Sequence, residues 1–136
     1  MYDVPIERGK IREFARAARS SNPAYDAPDA VVPPTFLTTA MLLWEPPDEL
    51  DLSEVPFDMR RVLHGEEEFV FHGPMPRAGQ TLSVRSRLGD IVRKTGRRGG
   101  GLTLFTLIHE FYDTSGSLVV EQRTTLVETS RAPEEK

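Results

Sequence analysis

Proton transfer near neutral pH needs an imidazole, a thiol or a perturbed carboxylate, and this chain of 136 residues offers few. It has no Cys, which removes thiol nucleophiles, thiolate metal sites and disulfide frameworks together. Its three histidines are His64, His72 and His109, and no H-E-x-x-H or comparable spacing joins them, so the sequence supports no metal site. His109 precedes Glu110 in a β-patterned segment, where neighbouring side chains point to opposite faces, so those two are not a ready dyad. His64 and His72 flank a short β pattern, and each reads either as a proton donor or as a loop hydrogen-bonder.

A second candidate is the turn Ser20 to Tyr25, which presents Ser20, Asn22 and Tyr25 with Asp26 just behind. Hydrating or dehydrating a thioester there would take a general acid/base and a group that activates water, both within about 3 Å of the reacting atoms. None of the three side chains has an ordinary pKa near neutrality. The turn has the outline of a site without its proton-transfer groups. The plainer reading is a helix-terminating turn in which Asn22 bonds its own backbone.

The third feature is charge. The net charge is -4, yet residues 1 to 68 carry most of the acid, while 77 to 98 hold Arg77, Arg85, Arg87, Arg93, Lys94, Arg97 and Arg98 against Asp90 alone. Such a patch suits a phosphorylated cofactor or an acidic carrier protein. A general nucleic-acid binder would be basic overall with aromatic residues interleaved, so nucleic acid is not expected. The alternative is Arg on the wet side of a strand. Gly99 to Gly101 lies in a hairpin, not between strand and helix, and reads as flexible connection.

These residues need elements to hold them. Ile11, Phe14, Ala15 and Ala18 fall on one helical face, predicting a short amphipathic helix over 10–19. Residues 22–34 are rich in Pro and Asp and read as loop. Thr35 caps a second predicted helix through Trp44, apolar around most of its circumference and therefore a core element with Leu42 buried. Residues 45–58 turn acidic and Pro-rich and read as a surface excursion or lid. Period-two or continuous β patterns then mark strands at 67–72, 81–94, 102–112 and 117–128, with 2–7 as an edge strand. The last three long strands, joined by local turns, predict an antiparallel meander. The strand at 102–112 is apolar on both faces, which argues against a monomer. The chain length fits one domain over 1–130, with 131–136 a fraying tail. No apolar run approaches 18 residues and the first 19 lack a signal-peptide core, so we expect a cytoplasmic protein with no membrane contact.

Five short stretches share an order and spacing with a known family. They are residues 9–17 (GKIREFARA), 22–25 (NPAY), 32–36 (VPPTF), 63–69 (LHGEEEF) and 77–82 (RAGQTL). Over residues 4 to 128 the chain resembles the MaoC-like hot-dog dehydratases, and is similar to their N-terminal, FAS1-like dehydratase domain and to the non-catalytic subunit of (3R)-hydroxyacyl-ACP dehydratases. The resemblance implies an α+β hot-dog fold, a curved antiparallel sheet of about five strands wrapped around a central apolar helix.

Active members of that family carry an Asp two residues before the Asn-Pro pair and a His two residues after the Pro. The matching positions here are Ser20 and Tyr25. The resemblance thus implies a subunit without catalytic residues of its own, paired with a catalytic MaoC-like hot-dog subunit in an (R)-specific enoyl-CoA or enoyl-ACP hydratase. It would bring no cofactor beyond the CoA or phosphopantetheine thioester of the substrate. Asn22, Tyr25, Phe36, His64 and His72 are then the expected substrate-binding residues, and Arg93, Lys94, Arg97 and Arg98 the expected contacts to CoA or carrier protein. Two alternatives stand beside this: a self-sufficient acyl-CoA thioesterase or hydratase with an unusual site, and a non-catalytic acyl-CoA-binding homodimer or higher oligomer.

Overall fold

A computed structural model describes residues 1–52, 55, 57–96 and 100–130. Five strands make one antiparallel sheet: β1 (Tyr2–Pro5), β2 (Val62–Phe71), β3 (Thr81–Thr95), β4 (Gly101–Tyr112) and β5 (Leu118–Thr129), in the order β1-β3-β4-β5-β2. The meander β3-β4-β5 forms as its turns predict, with Gly116 in the left-handed region closing the β4–β5 turn that Asp113 organises. The edge strand β1 is also where the sequence put it. One expectation about β2 changes. It starts at Val62, five residues earlier than its hydrophobic pattern suggested, because Glu66 to Glu68 break the apolar signal without breaking the ladder. It lies beyond β5, so the segment 73–79 crosses from one edge of the sheet to β3.

Helix α1 (Arg8–Ala17) buries Ile11 and Ala15 as the periodicity requires. The central helix is much reduced. Phe36–Thr38 form a 3-10 turn, followed by α2 (Thr39–Leu43), and only Phe36, Leu37 and Ala40 are buried. Thr35 makes no side-chain cap. Instead the hydroxyls of Thr38 and Thr39 donate to the carbonyls of Thr35 and Phe36, at 2.8 Å each, drawing the turn into 3-10 geometry. Pro46 and Pro47 prevent extension at the other end. Leu42 is consequently 75% exposed and Leu43 53%, so the expectation that Leu42 is core is overturned.

The inner face of the sheet carries two apolar clusters. One gathers Phe36, Leu37, Val4, Ile6, Ile11, Val84, Phe111 and Val120, with Tyr25, Phe69 and Phe71 packed against it. The other joins Val55, Phe105 and Leu107 with Leu50, Phe57, Val62 and Leu126. The described residues of the segment after α2 therefore pack as a cover, and Phe57 stacks on Phe105 at 5.2 Å.

Candidate functional site

The turn after α1 closes on itself. Ser20 Oγ accepts from Asn22 N at 3.3 Å, and Asn22 Oδ1 accepts from Ala24 N at 3.0 Å, capping the 3-10 turn Pro23–Tyr25. The Tyr25 ring leans on the first apolar cluster. Asp26, the nearest carboxylate, forms an ion pair with Arg12 at 3.3 Å, while its carbonyl accepts from Arg8 at 2.6 Å. Nothing in the turn is poised to move a proton. Phe36 is fully buried and meets Phe14 edge-on at 5.6 Å, so in this chain it packs the core and presents no surface to a ligand.

The basic residues lie elsewhere. Arg93 and Lys94 sit nine and ten residues along β3 from Val84, which belongs to the cluster Tyr25 packs on. At about 3.3 Å per residue that is roughly 30 Å. Arg93 pairs with Thr103 and Lys94 with Leu102, so the two cations point to opposite faces, both exposed. Arg97 and Arg98 lie outside the described residues. The histidines also separate: His72 follows the last residue of β2, with its N–H donating to Val119 at 2.9 Å, while His64 lies toward the start of the strand.

Between the two apolar clusters the inner face is polar. On β4, His109 is 1% exposed and meets the carboxylate of Glu45, just past α2, at 3.3 Å. Burial opposes ionisation of Glu45, but the His109 imidazole and the nearby Ser86 hydroxyl outweigh it and hold the carboxyl below its ordinary value. The Tyr2 hydroxyl joins this group, and burial with the adjacent Glu45 charge pushes its pKa well up. Tyr2 Oη, Ser86 Oγ, Glu45 Oε1 and His109 Nδ1 have no partner of their own among the described residues. The group is enclosed, and it ties the segment leaving α2 to the sheet.

On β2 the polar belt reaches the sheet edge. Glu67 Oε1 accepts from Gln122 Nε2 at 2.8 Å and from Thr124 Oγ1 at 3.0 Å, and both donors are buried on β5. Glu67 Oε2 meets His64 Nε2 at 2.9 Å, and the His64 side chain is 56% exposed. Residues three apart on a regular strand face opposite sides. Here the ladder slips between His64 and Glu66, the inserted residue being Gly65, and the bulge returns His64 to the face of Glu67. A Cβ on Gly65 would come within 2.8 Å of Val127 Cγ2 and 3.2 Å of Thr125 O, so the close approach suits only glycine. The sequence drew attention to His64 but not to Glu67, because strand alternation conceals the pairing. The one available signal was a glycine inside a charged strand.

A groove of about 380 Å³ lies on the opposite face and is lined by Glu66, Glu68, Arg87, Asp90 and Arg123 around Ile108. Its walls are ion pairs, Glu68 with Arg123 among them, which suits neither an acyl chain nor a phosphate.

A family model described as FAS1-like, dehydratase domain region, matches residues 2–122. A UPF0336 protein of Parafrankia sp. (strain EAN1pec) is 37% identical over 146 residues, covering 96% of this chain and 89% of its own length. Among solved structures, a C-terminally truncated (3R)-hydroxyacyl-ACP dehydratase complex, HadBC, from Mycobacterium tuberculosis is similar with a TM-score of 0.65 and 26% identity, over 92% of this chain and 89% of that one. The ChsH1–ChsH2 complex of the same organism gives a TM-score of 0.73 at 18% identity, over 96% and 82%, a likeness of fold.

Proposed function

The chain belongs to the FAS1-like dehydratase domain region family and has its hot-dog fold, and from that premise we propose that it is the non-catalytic, substrate-shaping subunit of a heteromeric (R)-specific enoyl-thioester hydratase. A partner hot-dog subunit supplies the catalytic Asp and His. Water adds across the trans-2 double bond, hydroxyl to C3 and proton to C2, giving a (3R)-3-hydroxyacyl thioester. The observation that carries this reading is the turn Ser20–Asp26, where the side chains stand ready to hold a backbone and none to exchange a proton.

Two further features support a different subunit as the partner. Among the described residues the β2 edge is unpaired, and at ten residues it is a template for another strand. Antiparallel pairing of two copies centred on Glu67 would set Glu66 against Glu68 and Glu67 against Glu67, and like charges directly opposite are destabilising. A partner with a neutral or basic edge meets no such penalty. The shortened α2 and the exposed Leu42 and Leu43 leave apolar surface for an acyl chain, while the CoA or carrier-protein end of the thioester falls to the basic run Arg93, Lys94, Arg97 and Arg98, of which Arg93 and Lys94, on opposite faces, cannot both meet it.

The reading is tested by co-expressing the chain with a hot-dog companion that carries the Asp and His, then assaying hydration of trans-2-enoyl-CoA over a range of chain lengths. The pair should be active with a chain-length profile that this subunit alters, and the chain alone inert. High turnover by the pure, isolated chain overturns it.

A further inference from the structure

The His64–Glu67 pair is organised in three tiers. Buried Gln122 and Thr124 fix the Glu67 carboxylate, the carboxylate fixes the His64 ring through Nε2, and Nδ1 points away from that contact on a largely exposed side chain. An ionised carboxylate only accepts hydrogen bonds, so the proton at this contact sits on Nε2. In the neutral ring Nδ1 is then an acceptor of fixed direction. It has no partner among the described residues. The bulge at Gly65 puts His64 on the face of Glu67, at a strand position between Val62 of one apolar cluster and Phe69 of the other.

We propose that His64 Nδ1, oriented by Glu67, accepts a hydrogen bond from a donor on the acyl thioester held by the assembled hydratase. Two groups on such a ligand can donate: the 3-hydroxyl of a 3-hydroxyacyl chain and an amide N–H of the pantetheine arm. The inference rests on the function proposed above and adds a ligand contact from this chain. His64 transfers no proton in it; Glu67 is the positioning residue.

The experiment uses the chain with its catalytic companion. Hydration by the wild-type pair comes first, since its absence would defeat the functional reading itself. In an active pair assayed in the dehydration direction, with a 3-hydroxyacyl-CoA that carries both donors, His64→Ala should raise KM by about three- to tenfold with kcat changed by less than about twofold, the pattern of a neutral hydrogen bond lost equally from ground and transition states. Binding of a 3-hydroxyacyl-CoA and of the saturated acyl-CoA of equal length then separates the donors. Weakening of the first alone identifies the hydroxyl, and weakening of both identifies the amide.

Glu67→Gln supplies a readout that a structural role would not move. Its amide keeps the shape but can present N–H to His64 Nε2, which sends the ring proton to Nδ1 and turns the acceptor into a donor. The imidazole 15N shifts of Nδ1 and Nε2 should exchange, and KM should rise as in His64→Ala although the ring remains. An active pair in which His64→Ala leaves KM and both binding constants unchanged overturns the inference and leaves the functional reading standing.

Discussion

Glu45 keeps its charge in a place that burial disfavours, because His109 and Ser86 favour the ionised form. Its folded pKa lies below the ordinary 4.5, so the stabilisation it provides is complete above that value and is lost as pH falls through the lower folded one. Glu45→Gln should therefore cost about 1–3 kcal/mol at neutral pH, the range of a charged hydrogen bond. Urea midpoints measured across pH should show the difference between variant and parent shrinking below pH 4.5; a gap that is the same at pH 3 and pH 7 counts against this account. The pairing of Glu45 with His109 joins residues 64 apart in sequence and has no local signature. The Ser20–Tyr25 turn is the opposite case. Its side chains bond backbone two residues away, so its reading as a cap was legible from Asn22 and Pro23 alone.

Among the elements, the long strands were legible because alternation and turn chemistry agree, as at Asp113 to Gly116, where a carboxylate and a glycine close the β4–β5 turn. The central helix was misjudged for a physical reason: apolar content around a circumference signals burial only when a full helix forms, and here two threonine hydroxyls and two prolines shorten it to a little over one turn. Substitutions separate the two descriptions. Leu37→Ala should cost about 2–5 kcal/mol, as for a fully buried leucine, whereas Leu42→Ala should change stability of the isolated chain by less than about 0.5 kcal/mol. Chemical denaturation of both variants checks this, and a large loss for Leu42→Ala would restore the helix to the core. The basic run divided between faces for an equally simple reason. Charge counted along a sequence says nothing about which side of a strand it occupies, and Arg93 and Lys94 take opposite sides.

At the scale of the molecule, the sheet has two unequal borders: β1, four residues long, and β2, ten residues long and acidic at its centre. Among the described residues no helix is long and apolar enough to cross a membrane. The acidic centre predicts the choice of partner. Replacing Glu66 and Glu68 together by Gln should increase self-association of the isolated chain, seen as a concentration-dependent rise in mass by light scattering, and should weaken preference for a basic-edged companion. An unchanged mass would place the assembly surface elsewhere.

Gly65 has a consequence for how this border could change over generations. Strand alternation runs on either side of it as though the residue were absent: Val62 and His64 share the side of Glu67, and Leu63 the side of Glu66. A gene one codon shorter at that point would keep every neighbour facing as it does now and would lose only the local kink. A single indel at that point, with no replacement of any reactive residue, thus leaves the imidazole and its carboxylate on one side of the strand and changes only the spacing between them.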